Sequence, residues 1–120
     1  EEDGEDVVFT HSGSKKTEFT LHEISQIAQS AGAGELMVTS IANEGQLRGL
    51  NIPLYQRLEK QISIPFIASG GAGSYVDLSK LFLKTTASGC GIGKMLALRD
   101  YDVVRIKSFL ANDKILVRSA

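Results

Sequence analysis

The chain has 120 residues, a formal net charge of −1 and a single cysteine. This length allows one domain over residues 1–120 and argues against two. Thirteen basic and fourteen acidic residues leave no excess positive charge for nucleic acid or an anionic membrane, and no apolar run is long enough to cross a bilayer. Cys90 cannot form an internal disulfide and is expected to be a small core residue, so the composition predicts a soluble, cytoplasmic protein.

The N-terminal part of the chain predicts little regular structure. Residues 1–6 are acidic and are expected to fray. Residues 7–10 (VVFT) are a short β run that leads into a polar turn at 11–16, which predicts a small ribbon within a loop. His11 and His22 lie in that turn and on a polar helix turn. Neither shows a metal-ligand or Ser-His-Asp arrangement, so both are expected to be surface residues and no metal site is predicted.

Helix and strand patterns alternate along the rest of the chain. A capping box over residues 20–23 predicts a helix at about 21–31. Three strands then begin near residues 35, 65 and 89, and the spacing of about 24–30 residues fits right-handed βαβ crossovers in a parallel sheet. The predicted strands are 36–41, 65–68 and 89–93, and the predicted helices are one containing Pro53, Leu54, Leu58 and Ile62, one at 74 to about 84, and one at 102–110. The pattern predicts an α/β fold, either an open sheet or a (β/α) barrel.

A glycine-rich turn follows the second of these strands. Gly70, Gly71 and Gly73 allow a sharp turn that could bring bare N–H groups to an anion at the start of the next helix. Ser74 and Asp77 mark that helix start independently. The pattern predicts a phosphate loop, in which a valine at position 71 would abolish anion binding because it fills the space of the anion or does not tolerate the backbone conformation. The alternative is a plain turn that uses glycine for packing, and both interpretations stay open.

Several segments together resemble the C-terminal half of the cyclase subunit of imidazole glycerol phosphate synthase, or a diverged cyclase-like paralogue. They are residues 8–13 (VFTHSG), 32–41 (GAGELMVTSI), 44–45 (EG), 67–73 (IASGGAG) and 99–103 (RDYDV), which together span essentially the whole chain. The resemblance implies a (β/α)8 barrel. Because the sequence supplies only about three of the eight strands, we expect a partial barrel, roughly a half-barrel, with parallel strands and a short N-terminal β ribbon.

The resemblance also implies a chemistry. The family's cyclase is a lyase of histidine biosynthesis, which uses ammonia from a partner glutaminase to turn a phosphorylated ribulosyl nucleotide precursor into imidazole glycerol phosphate, without a cofactor. Its two catalytic aspartates stand at the ends of the first and fifth strands, and neither is present here. Asp3 and Asp6 do not align with them. Ala42 replaces a further acidic residue, which favours a diverged copy such as the cyclase-like proteins of surface-sugar amidation.

A half-site for one phosphate can be carried over from the resemblance. Gly45, Gly71 and Gly93 match positions whose backbone amides face the phosphate. Lys94 takes the place of a serine that contacts phosphate. Its ammonium either adds a charge at the anion or extends out of a loop into solvent, and the sequence does not decide between the two. The expected ligand is phosphate or a sugar phosphate.

Other candidate residues lie around this half-site. Thr39 and Ser69 match polar residues that line the pocket, although their hydroxyls could instead cap the adjacent turns. Glu44 stands where the family usually has aspartate. Glu35 matches the acidic member of a charged ring at the opposite end of the barrel, where ammonia enters. It is therefore a gate candidate in a complete barrel and a solvated charge in a fragment.

The sequence leaves three functional hypotheses. In the first, the chain is a half-barrel that binds phosphate, is inactive alone and self-associates. In the second, it is an enzyme that an N-terminal half completes in trans. In the third, it is a structural module without a small-molecule role. Self-association is expected because three strands leave open edges and an apolar inner face around Met37, Val38, Ile67 and Ile92. A homodimer would cover both. The alternative is that the N-terminal ribbon folds back over the open edge.

Overall fold

The structure is a computed structural model that describes residues 4–98 and 101–118. Two strands, β1 (Val7–Thr10) and β2 (Lys15–Thr20), form an antiparallel ribbon. A separate parallel sheet contains β3 (Leu36–Thr39), β4 (Phe66–Ser69) and β5 (Gly89–Gly91) in that order. The helices of the described part are α1 (Leu21–Ser30), α2 (Ile52–Leu58), α3 (Tyr75–Lys84), α4 (Lys94–Leu98) and α5 (Val103–Asn112). The predicted α/β half-barrel is confirmed: three parallel strands alternate with helices, and the sheet does not close.

One face of the sheet is covered by helices and the other is open. Successive residues of a strand point to opposite faces, and Phe66 and Ala68 of β4 are buried against the helices. Met37 pairs in register with Ile67 on the opposite face, where the Met37 side chain is 62% exposed. The prediction that Val38 shares this open inner face is wrong, because Val38 follows Met37 directly and packs against the helix-side core.

The hydrophobic core lies between the sheet and its helices. Tyr55 and Leu58 of α2 and Leu81 of α3 are fully buried against it. Cys90 packs against this core as predicted, and burial raises the pKa of its thiol to about 12. The thiol is therefore protonated at neutral pH and unreactive.

Local capping explains where the helices begin. Thr20 and Glu23 form the complete reciprocal capping box at the start of α1, so the predicted start of this helix is confirmed. Ser74 caps α3, and its side chain accepts a hydrogen bond from the Asp77 N–H. The second predicted helix is shorter than expected, because α2 ends at Leu58 and Ile62 lies beyond it.

Two elements were not predicted. β2 occupies residues that the sequence interpretation placed partly in a polar turn, and it exists because it pairs with β1. Its burial alternates only weakly, so little in its own sequence marks a strand. α4 begins at Lys94, where a loop was expected.

The N-terminal segment is tied down where it meets the fold. The Asp6 carboxylate accepts hydrogen bonds from Arg57 Nε at 2.8 Å and Nη2 at 2.7 Å. Its backbone carbonyl accepts a 2.7 Å bond from the Leu21 N–H. The expectation that residues 1–6 fray is therefore wrong for Asp6, whereas residues 1–3 lie outside the described part.

The described residues carry neither a membrane-spanning helix nor a metal-ligand cluster. No helix among them is both long and apolar enough to cross a bilayer. In the same part of the chain, no three His, Cys, Asp or Glu side chains come together to hold a metal ion. His11 and His22 are exposed, as predicted.

Candidate phosphate-binding cleft

A cleft of about 200 Å³ opens at the carboxyl ends of the three parallel strands. Each strand and the loop after it contribute to its wall, so the cleft draws on three successive βα units. It is lined by Met37, Glu44, Gly45, Leu47, Ser69, Gly71, Ala72, Gly91, Ile92, Gly93 and Lys94. Ligands of α/β folds bind at the carboxyl ends of the strands, where the βα loops carry the functional groups.

Most of the candidate residues meet in this cleft. Six of the eight line it, namely Glu44, Gly45, Ser69, Gly71, Gly93 and Lys94. Thr39 is exposed and lines a different cavity beside β3. Glu35 lies before β3, at the opposite end of the sheet, where its carboxylate accepts a 2.9 Å hydrogen bond from the Ser88 hydroxyl.

Three glycines that line the cleft have backbone N–H groups with no acceptor in the described part of the protein. Within the described residues, the N–H groups of Gly45, Gly71 and Gly93 donate no hydrogen bond to the protein. Gly71 is buried and Gly45 is partly buried, where an N–H normally finds an acceptor, whereas Gly93 is exposed. These three groups can therefore donate to an anion without breaking an existing contact.

Close packing, in addition to turn geometry, requires the glycines after β4. A Cβ on Gly71 would lie 2.3 Å from the Gly49 carbonyl oxygen, and one on Gly73 would lie 2.3 Å from the carbonyl oxygen of Leu47. The direction of these missing side chains is toward the loop after β3. The interpretation that a valine at position 71 would fill the anion's space is wrong, since its side chain would first collide with this loop. The expectation that valine does not tolerate the backbone conformation is confirmed, because Gly71 has φ +101°.

The start of α3 is already occupied by a carboxylate of the chain. Asp77 Oδ2 accepts hydrogen bonds from the Gly73 N–H at 3.1 Å and from the Ser74 hydroxyl at 2.9 Å. The prediction that Gly73 presents a bare N–H to an anion is therefore wrong. An anion at the carboxyl ends of the strands has to use the N–H groups of the glycines that line the cleft instead.

Lys94 reaches across the cleft. Its ammonium donates a 2.8 Å hydrogen bond to the Gly45 carbonyl oxygen, which links the start of α4 to the loop after β3. The side chain therefore does not simply extend away from the protein. Glu44, beside Gly45, is exposed and lines the same cleft, so one positive and one negative charge face this space.

Sequence reasoning did not assign Gly91 and Met37 to the cleft. A Cβ on Gly91 would lie 2.9 Å from Met37 Cε and 3.0 Å from Ser69 Oγ. The absence of a side chain at position 91 therefore makes room for these two neighbours. Alternate residues of a strand face the same side of the sheet. Gly91 stands two residues before Gly93, and this spacing was the signal that could have placed Gly91 on the cleft side.

A larger groove, which we call the edge groove, runs along the other side of β3. It has a volume of about 990 Å³ and lies between β3, the β1–β2 ribbon and α1. The ribbon flanks β3 without pairing with it, because β1 pairs only with β2 and β3 remains the edge of its sheet. Within the described residues the ribbon lies beside this edge without adding a strand to it, so the alternative in which the ribbon and the N-terminal segment cover the open edge stays a prediction.

Comparisons with known proteins agree with this architecture. The family model for the histidine biosynthesis protein matches residues 2–102. The imidazole glycerol phosphate synthase subunit HisF of Chlorobaculum parvum is 34% identical over 115 residues, which is 96% of this chain and 46% of that protein. HisF of Lacticaseibacillus paracasei is 41% identical over 91 residues, 76% of this chain and 36% of that protein. HisF of Prochlorococcus marinus is 32% identical over 111 residues, 92% of this chain and 43% of that protein.

The chain thus spans less than half the length of these relatives. Part of one motif that carries the resemblance, Arg99-Asp100, lies outside the described residues, whereas Tyr101 to Val103 and the other motifs lie within them. The match covers both the ribbon and all three strands of the parallel sheet. The chain belongs to the histidine biosynthesis protein family.

Proposed function

We propose that this chain is a cyclase-like half-barrel that binds a phosphate group, free or at the end of a sugar phosphate, in the cleft at the carboxyl ends of β3, β4 and β5. The observation that carries the proposal is that three glycines from three separate loops line one cleft and that none of their N–H groups has an acceptor among the described residues. Backbone donors of this kind suit a phosphate because several can bond its oxygens at once. The names of the relatives describe subunits of a synthase of a phosphorylated compound, which agrees with this ligand class.

Lys94 supplies the charge in this proposal. Its ammonium lies at the cleft and is held by a neutral carbonyl, that of Gly45. A phosphate oxygen is a stronger partner for an ammonium than a carbonyl, because both partners are then charged. An incoming anion would therefore draw the ammonium away from Gly45 O.

The substitution Lys94→Ala is expected to weaken phosphate binding by roughly two- to fivefold, the effect of losing one solvent-exposed charge contact. NMR titration of the labelled chain with inorganic phosphate measures it. Lys80→Ala removes a charge on the exposed side of α3 and is the matched control. Equal affinity of the two variants would remove Lys94 from the site.

The chain alone is proposed to be inactive as a cyclase. The resemblance places the family's catalytic aspartates on strands that this sequence does not contain. Asp6 does not replace them, because both of its carboxylate oxygens bond Arg57. General acid–base chemistry needs a free group within reach of the substrate.

A second candidate function is completion in trans by an N-terminal half-barrel. Leu36 and Ser40 donate their N–H groups to β4, so in a parallel ladder the backbone groups of Met37 and Thr39 point to the edge groove. The Ser25 hydroxyl lies in the same groove and is buried, with no hydrogen-bond partner among the described residues. An added strand would find backbone partners on β3 and cover from α1.

Completion in trans would also produce a barrel that a glutaminase partner could bind. The relatives are subunits of a synthase by name, and a glutaminase that supplies ammonia is the partner implied by the resemblance. In that assembly Glu35, at the amino end of the sheet, is the gate candidate. A cytoplasmic location and the choice between histidine biosynthesis and surface-sugar amidation stay predictions.

Self-association is the third part of the proposal. The inner face of the sheet leaves Met37 largely exposed and Ile67 partly exposed to solvent, and neither edge of the sheet has a neighbouring strand among the described residues. Exposed edges and apolar patches of this kind favour contact with another chain. A second copy turned about a two-fold axis would cover the same face on both.

Sedimentation equilibrium at micromolar concentration is expected to show a species heavier than the 12.9 kDa monomer. Met37→Glu, which places a charge on the inner face, should shift the equilibrium to the monomer. Val104→Glu adds the same charge on the exposed side of α5 and is the control. A single species of monomer mass for the unmodified chain would contradict self-association.

A structural module without a small-molecule role is the remaining hypothesis. It requires that phosphate leave the cleft residues unaffected. The free glycine donors in the cleft speak against it, and the phosphate titration separates it from the main proposal.

A further inference from the structure

Tyr55 is a buried phenol that packing alone does not explain. The side chain is fully buried, and its ring stacks on Phe66 with ring centroids 6.1 Å apart. Burial raises the pKa of its hydroxyl to about 12. The group is therefore neutral at physiological pH and can both donate and accept a hydrogen bond.

The hydroxyl lies at the carboxyl end of β3 and β4, where the hydrogen bonds between these two strands end. It is 2.5 Å from the Ser69 carbonyl oxygen and 3.3 Å from that of Val38, and it accepts a 3.2 Å hydrogen bond from the Ser69 N–H. The Ser69 carbonyl oxygen also accepts a 3.0 Å bond from the Ser40 N–H. The Tyr55 hydroxyl thus contacts both backbone polar groups of Ser69 and the carbonyl of Val38 on the neighbouring strand.

Ser69 connects this contact to the cleft. Its side chain lines the cleft, and Gly71, a cleft donor, follows two residues later. Ser69 and Gly91 are closely packed here, because a Cβ on Gly91 would lie only 3.0 Å from Ser69 Oγ. A small shift of the Ser69 backbone therefore changes the space and the donors that a ligand meets.

We infer that Tyr55 is a positioning residue for the anion site: its hydroxyl fixes the Ser69 backbone and, through it, the Ser69 side chain and the Gly71 N–H. The inference rests on the proposed phosphate site. Phenylalanine at this position would keep the ring packing and remove only the hydroxyl. The hydroxyl is thus the part of the side chain that carries the role.

The test compares Tyr55→Phe with Tyr75→Phe by phosphate titration. Tyr75 stacks on Tyr101 and Phe109, so its substitution removes a hydroxyl from an aromatic cluster away from the cleft. Tyr55→Phe is expected to weaken phosphate binding about three- to tenfold, the effect of one lost hydrogen bond. It should also move the Ser69 and Gly71 amide resonances in the ligand-free protein. Tyr75→Phe should leave both unchanged.

The outcomes separate the two proposals. If the unmodified chain binds no phosphate, the proposed function fails and this inference fails with it. If the unmodified chain binds phosphate and folded Tyr55→Phe binds it equally well, only the inference on Tyr55 is overturned. A purely structural role of Tyr55 would lower the melting temperature of Tyr55→Phe without changing the phosphate affinity of that variant measured well below this temperature.

A second measurement does not depend on folding of the variant. In the unmodified chain labelled with 13Cζ-tyrosine, phosphate should shift the Tyr55 resonance and leave that of Tyr75 in place. If phosphate shifts the amide resonances of the cleft to saturation and the Tyr55 resonance does not move, the inference is overturned.

Discussion

Gly71→Ala is expected to lower the free energy of unfolding by at least about 3 kcal/mol, the combined cost of a strained backbone and of overpacking. Gly71 has φ +101°, and a Cβ there would lie 2.3 Å from the Gly49 carbonyl oxygen and 2.8 Å from Asn43 Cβ. The loop cannot move away freely, because the Gly49 N–H donates a 2.9 Å hydrogen bond to the Gly71 carbonyl oxygen. The loss is a large part of the 5–15 kcal/mol that stabilises a typical domain.

Urea denaturation followed by circular dichroism measures this change. Gly34→Ala is the matched control, since a Cβ on Gly34 meets no atom within 4 Å and its φ is not in the left-handed region. The control should be as stable as the unmodified chain. Equal midpoints for Gly71→Ala and Gly34→Ala would contradict the close packing of the glycine turn against the loop after β3.

The isolated chain is expected to show no cyclase turnover with the family's phosphorylated substrate and ammonium at high pH. A positioned general acid or base contributes about 10²- to 10⁴-fold to a rate, and the resemblance implies that neither of the family's catalytic aspartates lies in this sequence. The heat-denatured chain gives the background rate. Turnover of the native chain clearly above this background would contradict the proposed inactivity.

The same assay has a second arm for completion in trans. The added polypeptide is the part of Chlorobaculum parvum HisF that this chain does not match, which is a little over half of that protein. Turnover on mixing would support completion at the edge groove. Thr39→Pro removes the Thr39 N–H on the groove side of β3 and should abolish turnover on mixing. Thr39→Val keeps this N–H and should leave that turnover unchanged.

The order of helices and strands was readable from the sequence because local signals mark it. The capping box at Thr20 and the serine cap at Ser74 fix two helix starts through contacts within four residues. β2 and α4 lack such signals. β2 is a largely exposed strand that depends on β1 for its hydrogen bonds, and α4 is a five-residue helix.

The cleft could be foreseen only in part, because much of its geometry comes from contacts between distant segments. Positions of Gly45, Gly71 and Gly93 followed from the resemblance and from the rule that loops at the carboxyl ends of parallel strands meet. The sequence does not reveal that Gly71 packs on Gly49. Nor does it reveal that Tyr55, from the helix layer, reaches the end of β4.

The central claim is that the cleft binds phosphate, and the most direct test is a titration of the 15N-labelled chain with inorganic phosphate at constant ionic strength. The predicted result is a saturable shift of the amide resonances of Gly45, Gly71 and Gly93, with a dissociation constant in the millimolar range, about −4 kcal/mol. Chloride at the same ionic strength should leave these resonances in place. Phosphate-induced shifts that miss these three amides, or none at all, would contradict the proposed site.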